Sequence, residues 1–129
     1  YPDSFFDQAA DCFWLDTSPD WGLPGDSNDP MLVLEDADGA GPERIEVHNP
    51  APGSMTVGVH YWSAFDYGPS MPTIRIYHFE TLAYEVVGDP MQHADLWEVA
   101  TITWPGALVS PAFSGNGGTK ITPAYPTPF

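Results

Sequence analysis

The stretch EDADGAGPE, residues 35–43, holds the densest oxygen chemistry in the chain: Glu35, Asp36, Asp38 and Glu43 around two glycines and a proline. Carboxylates so spaced suit a hard divalent cation, and calcium takes roughly six to eight such oxygens in flexible geometry. Glu35 and Asp36 are adjacent at the end of an apolar run, so their side chains diverge if that run is a strand. Asp36 and Asp38 can converge, and Gly39 and Gly41 let backbone carbonyls turn inward. The EF-hand pattern does not fit. With Gly39 in the glycine position, the first and last ligand positions fall on Leu34 and Ile45, which cannot ligate. Asp26, Asn28 and Asp29 precede the apolar run and would close a cage if the fold brought them near. The competing account is an acidic turn, since Asp-Gly is a common turn pair and Asp bonds its own backbone.

Other chemistries are thinner. His48, His60, His78 and His93 are scattered over four segments. His60 and His78 could face each other across paired strands and hold zinc, but no H-x-x-x-H or CxxC spacing supports it, and zinc is not expected. The lone Cys12 sits beside Asp11, whose charge raises a thiol pKa and makes a poor nucleophile. No G-x-S-x-G elbow occurs, and carboxylate pairing for glycoside hydrolysis is a three-dimensional property. The chain is therefore expected not to be an enzyme. Trp62, Phe65 and Tyr67 offer flat rings on which a sugar could stack, an aromatic patch weighed against loop packing. Tyr61 belongs to the opposite strand face and to the core.

These residues need strands to position them. MLVLE (31–35) is an apolar run of buried-strand type, and CFWL (12–15) could form another short strand. RIEVHNP (44–50) alternates and stops at Pro50. MTVGVHYW (55–62) puts Met55, Val57, Val59 and Tyr61 on one face. TIRIYHFE (73–80) and LAYEVVG (82–88) predict a hairpin, and LWEVATITW (96–104) a further strand. No segment carries the helical apolar period. The expected fold is all-β, a single antiparallel β-sandwich of jelly-roll or Ig-like type over residues 1–104. Residues 105–129, rich in Pro and Gly, are expected as a tail or arm.

Composition narrows the partners. A chain of 129 residues suffices for one core. Its 18 acidic residues against three basic ones give a formal net charge of −15, which repels nucleic acid and anionic membrane surfaces. The five Trp, six Tyr and seven Phe argue against disorder. Nine aspartates lie within the first 38 residues, a density that a divalent cation would neutralise. An odd cysteine in a secreted chain predicts a free thiol or a partner outside this segment. The start at Tyr1, without an initiator Met or a long apolar run, predicts a processed or partial chain.

The segments DCFWLDTSPDWGLPGDSNDPMLVLEDADGAGPERIEV, GSMTVGVHYWSAFDYGPSMPTIRIY and DLWEVATITWPG resemble a family of secreted bacterial β-sandwich domains of unknown function. That family is frequent in myxobacterial surface proteins and akin to pre-peptidase C-terminal domains. The resemblance covers about residues 11–106, and its most specific part is the D-G-x-G-P-E turn followed by the V-H-Y strand. It implies a non-catalytic extracellular module, secreted or at the cell surface, with a calcium-binding acidic end at Asp36, Asp38 and Glu43. Members usually begin with an upstream D-x-D-L-H strand, which this chain does not show. An open sheet edge would then accept a strand from a neighbour. The expected function is calcium-stabilised adhesion or assembly with other protein subunits or cell-surface components. The alternatives are a subunit of an extracellular fibre or filament joined by strand exchange, and a carbohydrate-binding or accessory module of a secreted hydrolase.

Overall fold

The computed structural model describes residues 5–6, 10–13, 15–22, 24–25, 27–34, 42–62 and 68–126. Among them the chain is all-β, with eight strands in antiparallel sheets and no helix. They are β1 (Met31–Leu34), β2 (Arg44–Glu46), β3 (Gly53–His60), β4 (Thr73–His78), β5 (Thr81–Val87), β6 (Leu96–Trp104), β7 (Leu108–Pro111) and β8 (Ile121–Thr122). Two compact units divide them, one from Tyr1 to Ala51 and one from Pro52 to Thr127. The sequence led us to expect a single domain over 1–104.

In the second unit, β6 is the central strand. β3 pairs along one edge, while β7 takes Ala100–Thr103 and β8 takes Leu96 and Trp97 on the other. The gap between β7 and β8 is closed by Glu98 N–H donating to Lys120 O and Ala112 N–H donating to Val99 O. The 105–129 segment, expected as an arm, thus supplies two strands to the sheet. LVSP and IT are too short for their period to be read, and their pairing depends on a long neighbour with a free edge.

A bulge explains the burial along β6. Val57 pairs with Ala100 and Gly58 with Glu98, which leaves Val99 as the extra residue. The insertion shifts the alternation by one, so Trp97 before it, Val99 itself, and Ala100 and Ile102 after it all reach the same core. Val57, Val59 and Tyr61 of the β3 segment join them, as do Ile74, Ile76, Tyr84 and Val86 of the β4–β5 hairpin. Gly88 is required by close approach: a Cβ there would stand 2.7 Å from Trp97 Cζ3. Trp97 itself is 3% exposed.

The first unit contains the β1–β2 pair, with Met31 opposite Glu46 and Leu34 opposite Arg44. β1 was expected as a buried strand, but Val33 and Leu34 are nearly half exposed and Ile45 is 53% exposed. A hairpin with no further described strand beside it has too little apolar surface to cover these side chains. Its buried described residues are Pro19, Asn28, Asp29 and Pro30. Cys12, Phe13 and Leu15, expected in a short strand, lie outside any strand. Among the described residues no helix is long and apolar enough to cross a membrane.

Candidate functional site

The acidic stretch 35–43 is the connection between β1 and β2, whose ladder ends at Leu34 opposite Arg44. Asp26, Asp36 and Asp38 lie outside the described residues. Glu43 is exposed, one residue before β2. Asp29 stands at the other end of the hairpin, before Met31, where Asn49 N–H donates to Ser27 O at 2.7 Å. Asp29 and Glu43 thus flank opposite ends of the short β1–β2 ladder.

Around Asp29 the polar groups are buried and specific. Asp29 Oδ1 accepts the Trp21 backbone N–H at 2.8 Å, and Trp21 Nε1–H donates to Ala10 O at 2.8 Å. Asn28 is 2% exposed, and neither its Oδ1 nor its Nδ2 has a hydrogen-bond partner among the described residues. A buried amide left unpaired at both ends is costly, about 1–3 kcal/mol for each group. Such a group commonly marks an ordered water or an ion.

The neighbouring aspartates do turn work. Asp16 Oδ1 accepts Ser18 N–H at 3.2 Å and Asp20 Oδ1 accepts Gly22 N–H at 2.7 Å, both two residues ahead. These are the local side-chain turns that Asp favours. Among the described residues no three His, Cys, Asp or Glu side chains gather closely enough to hold a metal.

No protein-family model, curated protein or solved structure matches this chain. The likeness to secreted β-sandwich domains therefore rests on the residues quoted above.

The remaining candidates resolve as follows. Trp62 is half exposed, while Phe65 and Tyr67 lie outside the described residues. Tyr61 packs on the core and its hydroxyl donates to Gly68 O at 2.7 Å, linking the residues on either side of 63–67. His60 and His78 do not face each other across paired strands, because β3 pairs with β6 and β4 with β5. His60 instead lies near the Tyr125 ring, with ring centroids 6.4 Å apart. Burial pushes its pKa below the ordinary value, against an opposing pull from the Ala94 and Tyr125 carbonyls and with help from nearby His93. Cys12 Sγ–H donates to Thr17 O at 3.5 Å. Burial raises its pKa, the charge of Asp16 adds to this, and the Leu32 N–H works the other way. The carboxylate that acts on the thiol is thus Asp16, where the sequence suggested the adjacent Asp11.

All three basic side chains are engaged. Arg44 pairs with Glu46, Arg75 with Glu85 at 2.5 Å, and Lys120 with Glu98 at 3.1 Å. Sequence reasoning missed one more surface, the Phe79–Glu80 end of the β4–β5 hairpin, because HFET contains none of the Gly, Asn or Pro that usually announce a turn.

Proposed function

We propose that this chain is a non-catalytic, secreted β-sandwich module that uses calcium for stability and acts in adhesion or assembly at a cell surface. The observation that carries this reading is charge. Fifteen negative charges remain uncompensated, and Arg44, Arg75 and Lys120 are each already paired with a glutamate. Such a surface favours cations and cationic partners, and it repels anionic ones. The buried Asn28 beside Asp29, without a hydrogen-bond partner among the described residues, supports an oxygen donor set just before β1. Asp36, Asp38 and Glu43, in the segment that joins β1 to β2, are the other oxygen donors offered to the ion. The raised pKa of the Cys12 thiol supports a role without nucleophilic chemistry.

Thermal melting in EGTA and in millimolar calcium tests the reading. Calcium should raise the midpoint by several degrees, as expected for a ligand that binds only the folded state. Asn28→Ala should shrink the gain if the Asn28–Asp29 end binds the ion, and Asp36→Asn if the loop end does. Equal midpoints with and without calcium would sink the proposal.

A further inference from the structure

The β4–β5 hairpin closes on two residues, Phe79 and Glu80, between the paired His78 and Thr81. Both have positive φ, 51° and 71°, the geometry that matches the twist of the flanking strands. Asn-Gly fills such a turn at least cost, whereas a larger side chain in the left-handed region crowds the following carbonyl. This chain accepts that strain twice in succession. It also leaves Phe79 85% exposed, more than any other large apolar side chain described. Strain of this kind gathers at recognition sites, where function rather than stability keeps it.

The surroundings make the tip a surface. The Phe79 ring lies tilted against Trp104 with centroids 6.0 Å apart, and Trp104 meets His78 edge to face at 6.3 Å. The next exposed rung pairs Tyr77 with Leu82, each about half exposed. Ala83 is left as a bulge between that rung and Ile76–Tyr84, which increases the local twist of the hairpin end. Glu80 makes no ion pair among the described residues. The tip therefore combines aromatic faces with one uncompensated carboxylate.

We propose that this hairpin tip docks an arginine or lysine side chain presented by a basic protein segment. Aromatic faces attract a cation through their quadrupole, and the Glu80 carboxylate supplies the opposite charge. A second copy of the chain is a poor occupant, since both copies carry −15 and their basic side chains are engaged. A neutral sugar would stack on the rings but leave the Glu80 charge unused. The inference rests on the reading of this chain as a binding module and does not require calcium.

The test titrates isotope-labelled protein with a short capped peptide of alternating arginine and leucine, in EGTA at about 0.15 M NaCl, where exposed charges are screened beyond about 8 Å. Working in EGTA keeps the result independent of the calcium claim. Amide shifts should concentrate at residues 77–82 and at the Trp104 indole. A variant carrying Phe79→Asn and Glu80→Gly should bind about tenfold or more weakly, while its melting midpoint rises by about 4 °C as the turn strain is relieved. Asp89→Asn, a charge control outside the tip, should bind like wild type. Shifts spread over the acidic surface, with the double variant binding as tightly as wild type, would reduce the effect to general charge attraction and overturn the proposal. A lower midpoint in the double variant would overturn it too, by assigning Phe79 and Glu80 to folding. Tip shifts with neutral chitotetraose and none with the peptide would give the surface to a sugar instead.

Discussion

In the β3–β8 region Trp97, Val99 and Ala100 lie in a buried apolar cluster, whereas β1 and β2 leave Val33, Leu34 and Ile45 about half exposed. Strand sequences of similar composition thus end in different environments. The difference lies in how many described strands meet. β6 is flanked on both edges and its sheet shares a core with the β4–β5 hairpin. Among the described residues the β1–β2 pair has two strands only, and the buried residues of its unit are Pro19, Asn28, Asp29 and Pro30. Among the described residues of that region, Asp16, Asp20 and Asp29 bond through their side chains to backbone N–H groups. The described part of one region shows apolar burial and that of the other shows carboxylate-to-backbone bonds.

The sharpest test of that contrast is truncation of a side chain in each region. Trp97→Ala should cost about 3–5 kcal/mol, through lost burial and the cavity left beside Gly88, read from urea unfolding. Val33→Ala should stay within about 0.5 kcal/mol, as surface changes do. Comparable losses at the two sites would break the comparison. A smaller effect is expected at Asp29. Asp29→Ala strands the Trp21 N–H and should cost about 1–3 kcal/mol, with amide exchange accelerated in residues 16–34 and unchanged in β6. If the loss instead spread evenly through β6, the polar bonds would not be local to the first region.

The smallest effect separates the regions by pH. His60 has its pKa lowered in the folded chain relative to the ordinary 6.5, so the unfolded chain binds more protons in the window between the two values. Its contribution to stability is therefore fully present above about pH 6.5 and is lost as pH falls through the folded pKa. Melting midpoints measured from pH 7 to pH 5 should fall, and His60→Gln should flatten the part of that fall that belongs to the β3–β8 region. A wild-type slope retained in the variant would assign the pH dependence to other groups.

Much of the strand pattern was legible. The alternation in MTVGVHYW placed Val57, Val59 and Tyr61 on the core face, and the two runs at 73–88 formed the expected hairpin. The β6 bulge was not legible, since a single inserted residue only shows once the partner strand is in register. Nor was the pairing of residues 108–111 and 121–122, because short segments carry no period of their own. Of the proposed metal ligands, Asp29 and Glu43 fall at opposite ends of one hairpin, a separation that spacing along the chain does not reveal. The strained turn at Phe79–Glu80 was invisible for a different reason: the residues present are the ones a turn rule would not choose.

The amino-acid sequence by itself determined an all-β chain, a formal net charge of −15 and a single cysteine next to a carboxylate. These follow from composition, period-two alternation and nearest-neighbour chemistry, which act over a few residues. Tertiary structure alone decided which apolar strands are covered, which aspartates cap turns, and which aromatic side chain stands exposed at a strained tip. Each of those depends on contacts between residues far apart in the chain, such as Gly88 with Trp97 and Phe79 with Trp104.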